Sequence, residues 1–203
     1  MALVNGYEAA IFDFGGVLVK NQTEADQARM ASIARIARDE FCHLYWALRL
    51  DYDRGSLNAP DYWNALAREA GAAFTKDQIS ALTDLDNESW MRFDSVMWDW
   101  VAQLRAQGKR VGLLSNMPHT LGDALKFQTD RLDRFDQVTL SYQVHSVKPE
   151  PEIYQHCLQG LNTTPERALF FDDRIANVQA AEALGMRAIQ FLNRDDVLLT
   201  VRE

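Results

Sequence analysis

The sequence predicts an α/β fold, a doubly wound parallel sheet with a block of helices inserted after the first strand. Three observations predict it. Short, almost uninterrupted apolar runs recur along the chain: Ala9–Phe14 (AAIFDF), Val111–Ser115 (VGLLS) and Ala168–Phe171 (ALFF). Such runs fit strands of a parallel sheet covered on both faces, whereas a half-exposed sheet would alternate. Stretches with helical period separate the later runs, which is the rhythm of βαβ units. Residues 21–93 break that rhythm, with no convincing strand anywhere.

In chain order, Ala9–Phe14 is closed by Gly15-Gly16, a tight-turn signal. Met30, Ile33, Ala37, Phe41 and Leu44 form a helical stripe. Tyr52-Asp53-Arg54-Gly55 reads as a polar break between helices. Pro60 starts a second helix that Gly71 ends, and Thr75-x-x-Gln78 is a capping box opening a third. Phe41, Tyr45, Trp46, Tyr52, Tyr62 and Trp63 make this block aromatic, and most should pack between its helices. Ser95 caps a helix through Gln107, with Met97, Val101 and Leu104 on one face and Gly108 as the stop. Val111–Ser115 follows as a strand, then the weaker strand Gln137–Leu140. Pro151 suits the first turn of a helix through Leu161. Ala168–Phe171, a helix over Ala176–Leu184 stopped by Gly185, and a weaker strand Arg187–Phe191 complete the pattern.

The chain has 203 residues, 47% hydrophobic and 25% charged, the composition of a folded domain. Its formal net charge of −8 disfavours nucleic acid and anionic membranes as partners. That charge is also awkward for a protein that binds an anion. Two cysteines, Cys42 and Cys157, are too few for a disulfide framework and lack metal-ligand spacing, so they read as buried thiols. Met1 to Glu8 carries no secretory signal, and no run approaches the ~18 apolar residues that read as a membrane span. The expectation is a cytoplasmic protein; the oligomeric state is not readable.

Ligands of parallel α/β sheets bind beyond the carboxyl ends of the strands. The first strand delivers Asp13, the second Ser115-Asn116 and the third Asp172-Asp173, while Lys148-Pro149 precedes the helix at Pro151. Singly, these are a turn aspartate, a helix-cap pair, a surface lysine and two capping acids. Together they put carboxylates, a hydroxyl, an amide and an ammonium on one rim.

That ordered set resembles the four motifs of the haloacid dehalogenase-like hydrolase superfamily. Asp13-Phe14-Gly15-Gly16-Val17, Leu113-Leu114-Ser115-Asn116, Val147-Lys148-Pro149 and Phe170-Phe171-Asp172-Asp173 stand in the family's order, over roughly residues 9–191. The closest look is to the helical-cap branch that includes the phosphatase domain of soluble epoxide hydrolase and small bacterial sugar-phosphate phosphatases. The resemblance implies a Rossmann-like core over residues 1–19 and 95–203 and a helical cap over residues 20–94. It implies a Mg²⁺-dependent phosphatase acting on a small phosphorylated metabolite, sugar phosphates among them. Asp13 would be the nucleophile that forms an aspartyl-phosphate. Asp13, the Gly15 carbonyl and Asp173 would hold Mg²⁺, with Asp172 in an outer or water-mediated position. Ser115 and the Asn116 amide would hold phosphate oxygens, and Lys148 would neutralise charge. Asn177 stands where many relatives carry another acid and would orient Lys148 or Asp173. Tyr52, Asp53 and Arg54 form a candidate specificity loop. On this reading the acids at the rim are offset locally by Mg²⁺ and Lys148, so the global charge of −8 does not repel a phosphate there.

One position departs from the pattern. The family's phosphatases carry a second Asp two residues after the nucleophile, which protonates the leaving alcohol and later activates water. Here that position is Gly15. Such help is worth roughly 10²–10⁴-fold. Three readings follow: a substrate whose leaving group needs little protonation, a substitute acid among Asp53, His119 and His145, or a phosphoryl-ligand binder with weak or no turnover. A metal-independent dehalogenase also lacks the second Asp, but it does not keep paired acids after the last strand, so Asp172-Asp173 favours phosphoryl chemistry.

Overall fold

The computed structural model describes Val4, residues 6–195 and Val197; the N-terminal reading of Met1 to Glu8 and the C-terminal end of the core segment lie partly outside these. Five strands form one parallel sheet: β1 (Ala9–Phe12), β2 (Arg110–Ser115), β3 (Gln137–Leu140), β4 (Ala168–Asp172) and β5 (Arg187–Gln190), in the order β3-β2-β1-β4-β5. Ala9 stands opposite Arg110 on one side and Ala168 on the other, so β1 is central and its carboxyl end meets those of β2 and β4.

The sheet is sandwiched. Helices α6 (Ser95–Ala106) and α7 (His119–Gln128) cover one face. Ala10 and Phe12 pack there with Met97, Val101, Leu104, Leu121 and Leu125. Helices α9 (Pro151–Gly160) and α10 (Ile175–Ala183) cover the other. Ala9 and Ile11 pack there with Ile153, Cys157, Leu158, Val178 and Ala181. Both sides of each strand are therefore apolar, which is why the strand sequences do not alternate.

Between β1 and β2 lie α1 (Glu24–Ala34), α2 (Arg38–Ala47), α3 (Arg49–Asp53), α4 (Ala59–Glu69) and α5 (Lys76–Ser89). They build their own core around Phe41, Tyr45, Tyr52, Tyr62, Trp63 and Leu66. Tyr52 and Tyr62 stack there at 4.4 Å. A short helix, α8 (Ser141–Val144), follows β3.

The structure departs from the sequence reading in several places. β1 ends at Phe12, two residues early, because Asp13 leaves the ladder after one last bond from its N–H to the Phe171 carbonyl, 2.9 Å. The stripe from Met30 to Leu44 is two helices, broken at Arg35, whose left-handed conformation (φ 56°) ends α1. The supposed polar break at Tyr52–Gly55 is the end of helix α3, with Tyr52 and Asp53 buried. An i,i+4 pair between Arg49 and Asp53, 2.8 Å, lets the acid go inside. Asp94, not Ser95, caps α6, accepting bonds from the Val96 and Met97 amides. The helix α7 was not foreseen. Cys157 is buried as expected, but Cys42 is only partly so. Among the described residues, no helix is long and apolar enough to cross a membrane.

Candidate active site at the carboxyl edge of the sheet

A cavity of about 460 Å³ opens where β1, β2 and β4 end, under the helices of the insertion. Asp13, Gly15, Ser115, Asn116, Lys148 and Asp173 all line it, brought together from four separate stretches of chain.

Lys148 organises the floor. Its ammonium sits 2.7 Å from Asp13 Oδ1 and 2.6 Å from Asp172 Oδ2, with side-chain exposure of 1%. The Asn116 side chain accepts from the Lys148 amide at 2.8 Å and donates to the Lys148 carbonyl at 2.9 Å. This clamp explains why an amide follows Ser115, a role the sequence reading did not contain. Among the described residues the Ser115 hydroxyl makes one long contact, 3.4 Å to the Asn116 carbonyl, which leaves it available to a ligand.

Asp172 does not line the cavity. Lys148 and the Asn177 side-chain amide share its Oδ2, while Oδ1 accepts from the Arg174 amide and the same Asn177 nitrogen. It is a fully satisfied acid that aims Lys148. Asn177 therefore orients Asp172, rather than Lys148 or Asp173 directly.

Burial pushes the Asp13 carboxyl up to about 8 against the pull of Lys148, with Asp172 adding to the rise. Burial and the neighbouring Asp172 charge also raise Asp173. Lys148 stays above the usual lysine range, because the two carboxylates outweigh its burial. One ammonium facing three close carboxylates leaves uncompensated negative charge. Oxygen atoms of Asp13, Asp172 and Asp173 all come within 4.8 Å of one another. Hard oxygen donors with excess negative charge are the set a small divalent cation takes. Gly16 adapts the turn to this cluster: its φ is +72°, and a Cβ there would lie 2.5 Å from Asp173 Oδ2.

Gly15, the position of the absent acid, is not open space. A Cβ there would stand 3.1 Å from Cζ3 of Trp90, whose ring fills the volume. No local sequence signal pointed to Trp90. Trp90 in turn meets Trp46 edge-on at 6.5 Å, and both line the cavity.

Of the specificity-loop residues, only Asp53 reaches the cavity. Tyr52 is buried, its hydroxyl 2.8 Å from Thr120 Oγ1, and Arg54 makes a two-bond pair with Glu150, 2.7 Å each. Of the three candidate substitute acids, Asp53 again is the one that lines the cavity; His119 packs on Tyr142 and His145 contacts the Arg54 carbonyl. Arg49, which the sequence reading missed, is also in the wall, and its spacing four residues before Asp53 was the available signal.

Residues 7–185 match the family model of haloacid dehalogenase-like hydrolases. A sesquiterpene phosphatase of Aspergillus oryzae is 29% identical over 181 residues, covering 89% of this chain and 87% of its own. A D-ribitol-5-phosphate phosphatase of Bacteroides thetaiotaomicron is 28% identical over 200 residues, covering 92% of each. A haloacid dehalogenase-family enzyme of Bacteroides thetaiotaomicron, crystallised as a magnesium complex, superposes with a TM-score of 0.78 at 22% identity, covering 98% of this chain and all of that one.

Proposed function

The chain belongs to the haloacid dehalogenase-like hydrolase family, and from that premise we propose that it is a cytoplasmic, Mg²⁺-dependent phosphatase acting on a small phosphorylated metabolite. The observation that carries the reading is the Lys148 ammonium between Asp13 and Asp172, with Ser115 lining the same cavity at the sheet's carboxyl edge. The phosphatase relatives support the reaction class.

Asp13 is the nucleophile. An oxygen of its carboxylate attacks phosphorus, the bond from phosphorus to the leaving oxygen breaks, and an aspartyl-phosphate forms. Ser115 and the Asn116 amide hold the phosphoryl oxygens, and Lys148 offsets the charge that builds on them. Asp13, Asp173 and the Gly15 carbonyl would hold Mg²⁺, with Asp172 behind them. When bound, the cation supplies positive charge between two anions that otherwise repel. Water then hydrolyses the acyl phosphate. We take residues 20–94 as a cap that shelters the site during attack.

The walls suggest the substrate's other end. Gln22, Gln27, Arg49 and Asp53 offer polar groups, and Trp46 and Trp90 offer ring faces. That mixture suits a hydroxylated chain with an apolar edge, such as a polyol or sugar phosphate. The test is a screen of phosphorylated metabolites with Mg²⁺, with Asp13→Asn alongside. Turnover abolished by Asp13→Asn supports the reading. Tight phosphate-ester binding without turnover would make the protein a binder, and halide release from 2-haloacids without Mg²⁺ would make it a dehalogenase.

A further inference from the structure

We propose that Asp53, carried by the helical insertion, is the proton donor and acceptor that replaces the acid missing at Gly15. The inference rests on the phosphatase reading above. Four observations carry it. The usual position cannot act, since Gly15 has no side chain and its space is filled by Trp90. Asp53 lines the same cavity as Asp13 and Ser115. Its carboxylate is anchored through one oxygen: Oδ1 accepts from Arg49 Nε at 2.8 Å, in an i,i+4 pair. Its backbone is pinned to the core at the phosphate-binding loop, because Ser141 Oγ bonds both the Asp53 carbonyl and the Met117 amide. A carboxyl in the cavity wall, anchored through one oxygen and on a pinned backbone, is in the stance of a proton-transfer group.

The electrostatics are compatible. Burial moves the Asp53 carboxyl up to about 6, against the lowering by Arg49; Asp86 pushes it up and Arg174 down, and Tyr52 and Tyr62 are close enough to feel its charge. That range keeps both protonation states accessible near neutral pH. Arg49 is the positioning residue. It also binds Asp86 at 2.9 Å, and so fixes the acid from the core of the insertion.

The steps balance. Asp13 forms its bond to phosphorus while the phosphorus–leaving-oxygen bond breaks, and the Asp53 proton passes to that oxygen, releasing an alcohol. The resulting Asp53 carboxylate then takes a proton from water as the water oxygen attacks phosphorus and the bond to Asp13 breaks. This restores both acids to their starting states.

Asp53→Asn is tested with Mg²⁺ on two probes, D-ribitol 5-phosphate and p-nitrophenyl phosphate. The alkyl ester needs a proton on its leaving oxygen; nitrophenolate leaves without one. The variant is expected to lose about 10²-fold or more in kcat/KM on the alkyl ester and far less on the aryl ester. On the aryl ester it should accumulate phosphoenzyme, seen by intact mass after acid quench. The ratio of the two rates is read in one preparation, so partial unfolding cancels. A wild-type series of aryl and alkyl phosphates needs no variant and should show kcat/KM nearly independent of leaving-group pKa. An equal loss on both probes, no loss on either, or a steep wild-type dependence overturns the role of Asp53. Wild-type turnover that survives Asp13→Asn overturns the phosphatase mechanism itself, and the inference with it.

Discussion

Replacing Lys148 with methionine keeps the length and most of the volume of the side chain and removes its charge. In the native structure the ammonium is the side-chain partner that Asp13 and Asp172 share, at 2.7 and 2.6 Å, and the exposures of the three side chains are 1%, 10% and 0%. Lys148→Met leaves the Asp172 charge, and the ionised fraction of Asp13, without a cation beside them. Removing one partner of a buried pair costs about 3–5 kcal/mol, because the remaining charge is left without compensation. Asp172 retains its bonds from Arg174 and Asn177, so the lower half of that range, about 3 kcal/mol, applies. For a chain of this size each kcal/mol moves Tm by about 2–4 °C, so thermal unfolding should shift down by about 6–12 °C. Differential scanning calorimetry at pH 7.5 without divalent cations measures it. Adding Asp172→Asn to Lys148→Met removes one of the stranded charges and should recover part of the loss, a coupling of about 0.5–3 kcal/mol. A Lys148→Met protein that melts within 2 °C of wild type would refute the view that this ammonium holds the floor of the site together.

Three other expectations follow from the same geometry. Mg²⁺ at about 100 times its Kd should stabilise the protein by about 2.7 kcal/mol, or about 5–11 °C by thermal shift, and Asp173→Asn should remove most of that gain; an unchanged shift in the variant would mean the cation binds elsewhere. Gly15→Ala should cost about 1–3 kcal/mol in chemical denaturation, and clearly less in a Trp90→Leu background; equal costs in both would mean the indole is not what fills the space. The Arg54–Glu150 pair holds the Glu150 carboxyl down at about 2, so its contribution is full above the unfolded value near 4.5 and is lost as pH falls toward 2. Its exposure keeps that contribution below about 1 kcal/mol, so Glu150→Gln should destabilise slightly at pH 7 and not at all near pH 2 in urea melts.

The sheet was legible because its signals are local and redundant. Ile11 and Phe12 point to opposite faces and both meet helices, so the doubly buried strand is written in consecutive apolar letters. Pro151 and the Thr75–Gln78 box mark helix starts through groups within one turn. The chemistry-bearing residues were legible for a similar reason: each directly follows a strand or precedes a helix, and topology alone gathers them. What stayed hidden depends on contacts distant in sequence. The stripe from Met30 to Leu44 keeps its apolar period across the break at Arg35, so period alone could not reveal two helices. Asp53 looks like a loop acid until Arg49 and Asp86 are seen to accompany it inside. Trp90 lies 75 residues beyond Gly15, and only the folded chain shows that the glycine and the indole share one volume.

The Asn116 side chain treats Lys148 as a neighbouring strand would, offering an acceptor to its N–H and a donor to its carbonyl. In effect the sheet gains a rung made from a side chain. The backbone of Lys148 is therefore tied to the residue that follows β2, the strand that carries Ser115, while Asp13 and Asp172 aim its ammonium. The Ser115 strand and the Lys148 backbone thus share one frame. An aspartate at 116 would keep the shape and spoil the rung, since a carboxylate would then face a carbonyl.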